Sequence, residues 1–199
     1  MNFIHVVENV IPPDYCEYLI DKYEKTSGKH QGYLGEGVVD STMKKCTDLH
    51  PTILKEWQSD VSKIDKYLGV GFLQYLKYLK NVVLNGDDLI LRQMFSHLDG
   101  ISTSGIQIQR YNPGDYFNWH CDDSYGKKRL VAYIIYLNSM GKEDGGKTQF
   151  LKDREIIPKA GSILFFPSTW SYIHRGESVK NGKKYIITGF INEVIQEPN

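Results

Sequence analysis

His120, Asp122 and His174 are side chains of the kind that hold a divalent metal, and Lys184 is of the kind that holds an anion. Two imidazoles and one carboxylate can bind divalent iron on one face and leave the opposite face open to small molecules. A lysine at a fixed place beyond them could grip the far carboxylate of an acidic co-substrate. That combination points to oxygen chemistry. In an extended strand alternate side chains share a face, so His120 and Asp122 project together while Cys121 and Asp123 turn away. The third ligand has to come from another strand. His174, beyond the apolar run Ser162-Ile163-Leu164-Phe165-Phe166-Pro167, is the candidate. An H-x-D tripeptide alone says little: zinc accepts the same donors, and a histidine near an aromatic run is commonly a packed residue. The surrounding pattern carries the metal reading.

That pattern is a set of strands and turns. Tyr111-Asn112-Pro113-Gly114-Asp115 reads as a strand end and a Pro-Gly turn, and Tyr116 to His120 as an aromatic strand entering the ligand site. Arg129 to Asn138 is apolar on both faces and predicts a central buried strand. A Gly145-Gly146 turn precedes Thr148 and Phe150. Residues 156–161 make a further turn before the apolar strand through Phe166. Asn181-Gly182 is the strongest short hairpin signal in the chain, and it predicts Lys184 to Ile191 as a strand beside the segment that follows His174.

These residues together resemble the Fe(II)- and 2-oxoglutarate-dependent dioxygenases, specifically their prolyl 4-hydroxylase-like branch. The resemblance runs over about residues 104–192 and rests on Tyr111, Gly114, His120, Asp122, Arg129, Tyr136-Leu137-Asn138, Gly145-Gly146, Thr148, Phe150, Pro158, Gly161, Phe165-Phe166, His174, Gly182 and Lys184. It implies a mainly β fold with flanking helices, a double-stranded β-helix (jelly roll) whose N-terminal helices pack on the major sheet. It implies His120, Asp122 and His174 as iron ligands and Lys184 as the anchor for the C5 carboxylate of 2-oxoglutarate. Tyr136 resembles a tyrosine that shares that carboxylate, and Tyr111 one near the co-substrate. Fe(II), 2-oxoglutarate and dioxygen are the implied cofactors and co-substrates, with ascorbate as an accessory reductant. Asp122 favours hydroxylation, because the related halogenases lack this carboxylate.

The nearest branch implies a peptidyl proline as substrate. A free amino acid or another small metabolite is the enzymatic alternative, and a non-catalytic jelly-roll binding module the alternative of another class. Two positions depart from the branch: Trp119 stands before the first metal histidine, and Arg175 follows the distal one. Either shapes a different substrate pocket or is ordinary packing.

Composition bounds the rest. A chain of 199 residues predicts one domain, with 1–100 as an N-terminal strand and supporting helices and 101–195 as the catalytic jelly-roll core. Lys plus Arg equals Asp plus Glu at 24 each, which gives no electrostatic case for nucleic acid. Cys16, Cys46 and Cys121 form neither a disulfide framework nor a zinc cluster and fit a reducing compartment. No signal peptide or membrane-spanning run is visible, so a cytoplasmic protein without membrane partners is expected. Nothing in the pattern specifies an oligomeric state.

The first hundred residues predict supporting elements. Phe3 to Val10 reads as a strand. Pro12-Pro13-Asp14 opens a helix with Tyr15, Leu19 and Tyr23 on its core face. Residues 28–37 read as a glycine-rich connection, with a substrate lid as the alternative. Ile53, Trp57, Val61, Ile64 and Leu68 recur at helical spacing from Pro51. Gly69-Val70-Gly71 is expected to break that helix, with a third running from about Phe72 to Asn81. His5, His30, His50 and His97 lack a paired spacing and read as structural.

Overall fold

A computed structural model describes residues 3–95, 100–123 and 129–194. Thirteen strands and three α-helices are found among them: β1 His5–Val7, α1 Pro13–Lys25, β2 His30–Gln31, β3 Lys44–Lys45, β4 Thr47–Leu49, α2 Gln58–Tyr78, α3 Asp88–Phe95, β5 Ile101–Thr103, β6 Gln107–Tyr111, β7 Tyr116–His120, β8 Arg129–Tyr136, β9 Thr148–Phe150, β10 Arg154–Ile156, β11 Ile163–Pro167, β12 His174–Gly176 and β13 Lys184–Glu193. They form two antiparallel sheets. The major sheet runs β1-β11-β8-β13-β6-β4-β2 with β5 also paired to β13, and the minor sheet runs β10-β9-β12-β7-β3. This is the expected double-stranded β-helix.

The run that is apolar on both faces behaves as such a run must. β8 lies between β11 and β13, and every residue from Val131 to Tyr136 is buried. Val131, Tyr133 and Ile135 join the core that the helices cover, while Ala132, Ile134 and Tyr136 join a second core between the two sheets. The period of two thus divides one strand between two apolar layers.

α1 starts where Pro13 pre-sets the backbone and Asp14 meets the positive helix end, and it buries Tyr15, Cys16, Leu19 and Tyr23. α2 corrects an expectation. It is continuous through Gly69 and Gly71 and closes on a π turn, Leu79–Val83, rather than breaking. Each glycine costs a helix roughly 1 kcal/mol relative to alanine. At Gly71 the missing side chain is used: a Cβ there would lie 2.9 Å from Ile163 Cδ1, so the helix sits close on β11. Ile53 is not on the core stripe but 82% exposed.

Three further differences concern strands. The first strand covers only His5–Val7. The connection 28–37 contains β2, which pairs with β4 and extends the major sheet. Asn181-Gly182 does not make a hairpin between neighbouring strands. β12 belongs to the minor sheet and β13 to the major one, so this turn carries the chain from one sheet to the other. Gly182 is left-handed (φ 70°) while Asn181 is not, which departs from the two left-handed residues of a tight hairpin turn.

Candidate active site

The two sheets part at one end around a cavity of about 1100 Å³, large enough for a small-molecule ligand. His120, Asp122, His174 and Lys184 all line it, together with Tyr111, Phe117, Arg129, Ile134, Thr148 and Ile186.

The minor sheet supplies the metal donors. His120 ends β7, His174 begins β12, and the two are direct register partners. Asp122 lies just beyond the end of β7. One donor atom from each of the three lies within 4.8 Å of the others, the one such cluster among the described residues. His120 Nε2 is 3.8 Å from Asp122 Oδ1, and His174 Nε2 is 3.7 Å from Asp122 Oδ2. Each ring is held by its other nitrogen: His120 Nδ1 donates to the Asn118 carbonyl at 2.7 Å and His174 Nδ1 to the Tyr172 carbonyl at 3.1 Å. Those bonds fix the tautomer and aim both Nε2 lone pairs at the space beside Asp122. Phe117 lies flat on the His120 ring at 3.6 Å and restricts its rotation.

Electrostatics agree with the donor set. Burial pushes His120 and His174 down to about 4, with the neighbouring His174 adding to the shift at His120. Both rings are therefore neutral near pH 7 and free to ligate. Burial raises the Asp122 carboxyl above its usual range. A dication held by these three donors would favour the charged form of the carboxylate. The residues present fit Fe(II).

The major sheet supplies the opposite demand. Lys184 begins β13, faces Tyr111 of β6 in register, and is 3% exposed. Its ammonium stands 5.4 Å from the centre of the Tyr111 ring and 5.9 Å from that of Tyr136. It has no ion pair among the described residues, and burial lowers it to about 8. Gly146, in the left-handed region, leaves room for its stem: a Cβ there would meet Lys184 Cδ at 3.3 Å. A buried ammonium without a counter-charge is costly, and an entering carboxylate removes that cost.

The remaining predicted residues divide. Tyr111 lines the cavity and donates to Gln109 Oε1 at 2.7 Å. Tyr136 is fully buried behind the lining, its hydroxyl 2.8 Å from Thr148 Oγ1, and it is Thr148 that faces the cavity. Trp119 and Arg175 lie outside the lining, because each follows or precedes a metal histidine by one residue and alternation turns it to the other face. There the Arg175 guanidinium stands 4.8 Å over the Trp119 ring and Nε donates to Gln149 Oε1 at 2.6 Å. His97 lies outside the described residues. His30 and His50 stack with Tyr33 at the far end of the cavity.

One wall went unread in the sequence. Gln109 donates to Gln107 Oε1 at 2.9 Å, and Gln107 donates to Asp48 Oδ2 at 2.8 Å. Asp48 also takes Lys44 Nζ at 2.8 Å in an ion pair buried on both sides. The signal was the alternation Ile106-Gln107-Ile108-Gln109: the isoleucines are core, so the glutamines face the cavity.

Comparison with known proteins points the same way as the donor set. The sequence model of the 2OG-Fe(II) oxygenase superfamily matches residues 106–192, the stretch that holds all four residues above. Residues 106–192 are thus similar to a 2OG-Fe(II) oxygenase core. A PKHD-type hydroxylase of Synechococcus sp. (strain CC9902) is 29% identical over 96 residues, covering 46% of this chain and 42% of its own. The chain spans less than half the length of such curated relatives. Two solved structures share the fold over 97% of the chain. The viral collagen prolyl hydroxylase of Paramecium bursaria Chlorella virus-1, in its 2OG complex, has a TM-score of 0.66 at 20% identity and is covered over 97% of its length. A prolyl hydroxylase of Trichoplax adhaerens, in complex with a hypoxia inducible factor peptide, has a TM-score of 0.72 at 16% identity and is covered over 84%. No helix among the described residues is long and apolar enough to cross a membrane.

Proposed function

We propose that the protein is an Fe(II)- and 2-oxoglutarate-dependent hydroxylase of peptidyl proline. His120, Asp122 and His174 hold the metal, and Lys184 anchors the far carboxylate of 2-oxoglutarate. The observation that carries this reading is the convergence in one cavity of a carboxylate with two imidazoles, placed to share an ion, and a buried ammonium. The proline preference rests on the collagen and hypoxia-factor hydroxylases that share the fold.

Each residue has a physical task. The histidines keep fixed tautomers, so the metal meets lone pairs rather than N–H groups. Lys184 supplies a point charge at the closed end of the co-substrate site, and Thr148, oriented by Tyr136, supplies a hydroxyl beside it. Tyr111, Ile134 and Ile186 wall this end and exclude water. Bound Fe(II), with 2-oxoglutarate and dioxygen, supplies the oxidising chemistry, which yields succinate, carbon dioxide and a hydroxylated substrate carbon. Ascorbate would be the accessory reductant. Trp119 and Arg175 pack on each other outside the cavity lining. The three cysteines are free thiols, in keeping with a reducing, cytoplasmic setting.

The test is succinate formation from 2-oxoglutarate and Fe(II), followed by mass spectrometry, with proline-containing peptides and free amino acids compared as accelerants. Peptides that accelerate turnover and gain one oxygen support the reading. Acceleration by free amino acids alone moves the substrate to the small-metabolite class. Equal turnover in the wild type and Asp122→Ala removes the metal role.

A further inference from the structure

Asp122 differs from the two histidines in how it is held. His120 and His174 sit inside paired strands, but Asp122 lies beyond the end of β7, where no ladder fixes the main chain. Its described main-chain tether comes from Arg129, the first residue of β8. Arg129 Nη1 donates to the Asp122 carbonyl oxygen at 2.8 Å. The guanidinium in turn lies 3.7 Å over the ring of Phe190 on β13, and the Arg129 main chain pairs with Asn192 of the same strand. Both side chains line the cavity.

We propose that Arg129 is a positioning residue for the metal, a clasp that ties the loop bearing Asp122 to the major sheet. It acts through the main chain of Asp122 rather than by touching the ion. Three properties suit it to this. A planar guanidinium can lie flat on an aromatic ring and still direct an N–H along its edge, which an ammonium cannot do equally well. Phe190 fixes the plane, and β13 fixes Phe190. The main chain of Asp122 is then tied to an ordered strand, so the carboxylate is set where His120 and His174 meet before any ion arrives. Outer partners of metal ligands typically change metal affinity by about 10–100-fold when removed.

The inference rests on the metal site proposed above, and Asp122→Ala separates the two. If Asp122→Ala binds Mn(II) as tightly as the wild type, the metal reading fails and the clasp has nothing to position. If Asp122→Ala loses Mn(II), Arg129→Met decides. Titrate wild type and Arg129→Met with Mn(II) by calorimetry, record the visible spectrum of the Co(II) forms, and melt both apo-proteins. The expected result is a Mn(II) Kd raised about 10–100-fold and an altered Co(II) spectrum, reporting a displaced or lost carboxylate. A purely structural arginine lowers the apo melting temperature and leaves both metal readouts at wild type; that result overturns the proposal. Should Arg129→Met fail to fold, Phe190→Leu keeps the arginine and removes its platform. A Mn(II) Kd raised several-fold then supports the clasp, and an unchanged one overturns it.

Discussion

His120 and His174 are direct register partners across β7 and β12, although they stand far apart in the chain. The pairing sets one imidazole against the other with ring centres 4.2 Å apart. The metal site is therefore a consequence of strand register: a slip of one residue in either strand would turn its imidazole to the outer face, where Trp119 and Arg175 now sit, and part the pair.

Asp122→Ala leaves two neutral imidazoles and no carboxylate. The expected outcome is a metal affinity lower by more than about 100-fold, since even outer partners of metal ligands are worth 10–100-fold, and loss of succinate formation. Mn(II) calorimetry and succinate mass spectrometry check the two parts.

Lys184→Met separates ligand binding from stability. Burial lowers the lysine from 10.5 to about 8, a destabilisation on the order of 3 kcal/mol at about 1.4 kcal/mol per pH unit. Replacing it by an apolar chain of similar length raises the melting temperature of the apo-protein and weakens 2-oxoglutarate binding by more than about tenfold. Thermal melts with and without 2-oxoglutarate give both numbers. A variant that is less stable yet binds normally would remove the anchor role.

The same group predicts a pH dependence. Between about pH 8 and 10.5 the unfolded chain holds a proton on Lys184 that the folded chain has released, so folded stability gains from this residue as pH rises. Below about pH 8 both states are protonated and the burial cost is present in full. The stability gap between Lys184→Met and wild type therefore narrows as pH climbs through that window. Denaturant titrations of the pair at pH 7.5 and at about pH 10, a window taken from the lowered lysine, measure the gap. Affinity for 2-oxoglutarate falls over the same range, as the ammonium loses its charge.

The two glycines of α2 should respond in opposite directions. At Gly69 nothing lies within 4 Å of an added Cβ, so Gly69→Ala stabilises the helix by about 0.5–1 kcal/mol. At Gly71 the added atoms meet Ile163, and Gly71→Leu destabilises by about 1–3 kcal/mol through overpacking. Melting temperatures of the two variants carry the contrast.

Trp119→Ala and Arg175→Ala remove a contact outside the cavity. They are expected to cost about 0.5–1 kcal/mol of stability, as an exposed cation–π pair would. Succinate formation and its acceleration by proline peptides stay at wild type. A raised peptide KM in either variant would return these residues to the substrate site.

The parts of the fold legible in the sequence were those set by local pattern. The two-faced apolar run became β8, whereas the alternation expected from His120 to Asp123 did not hold: β7 ends at His120, and Cys121 and Asp123 line the cavity with Asp122. What escaped depended on distant partners. The use made of Gly71, a close approach to Ile163, depends on a strand far away in the chain. Whether Asn181-Gly182 makes a hairpin is decided by which sheet β12 joins. The buried Lys44–Asp48 pair has no local signal, because only the pairing of β4 with β6 brings Gln107 and Gln109 over it. Arg129 and Thr148 were visible as positions but not as tasks, since neither is adjacent in sequence to the residue it serves.

β13 presents Lys184, Ile186, Thr188 and Phe190 toward the cavity at every second residue. The anchor for the diacid and the ring beneath the arginine thus share a single rigid girder. Its length cannot be edited: losing or gaining one amino acid between positions 184 and 190 would invert one end against the other. Evolution can rewrite the loops around the mouth, and so the choice of target, but this stretch can change only by exchange of letters, never by their number.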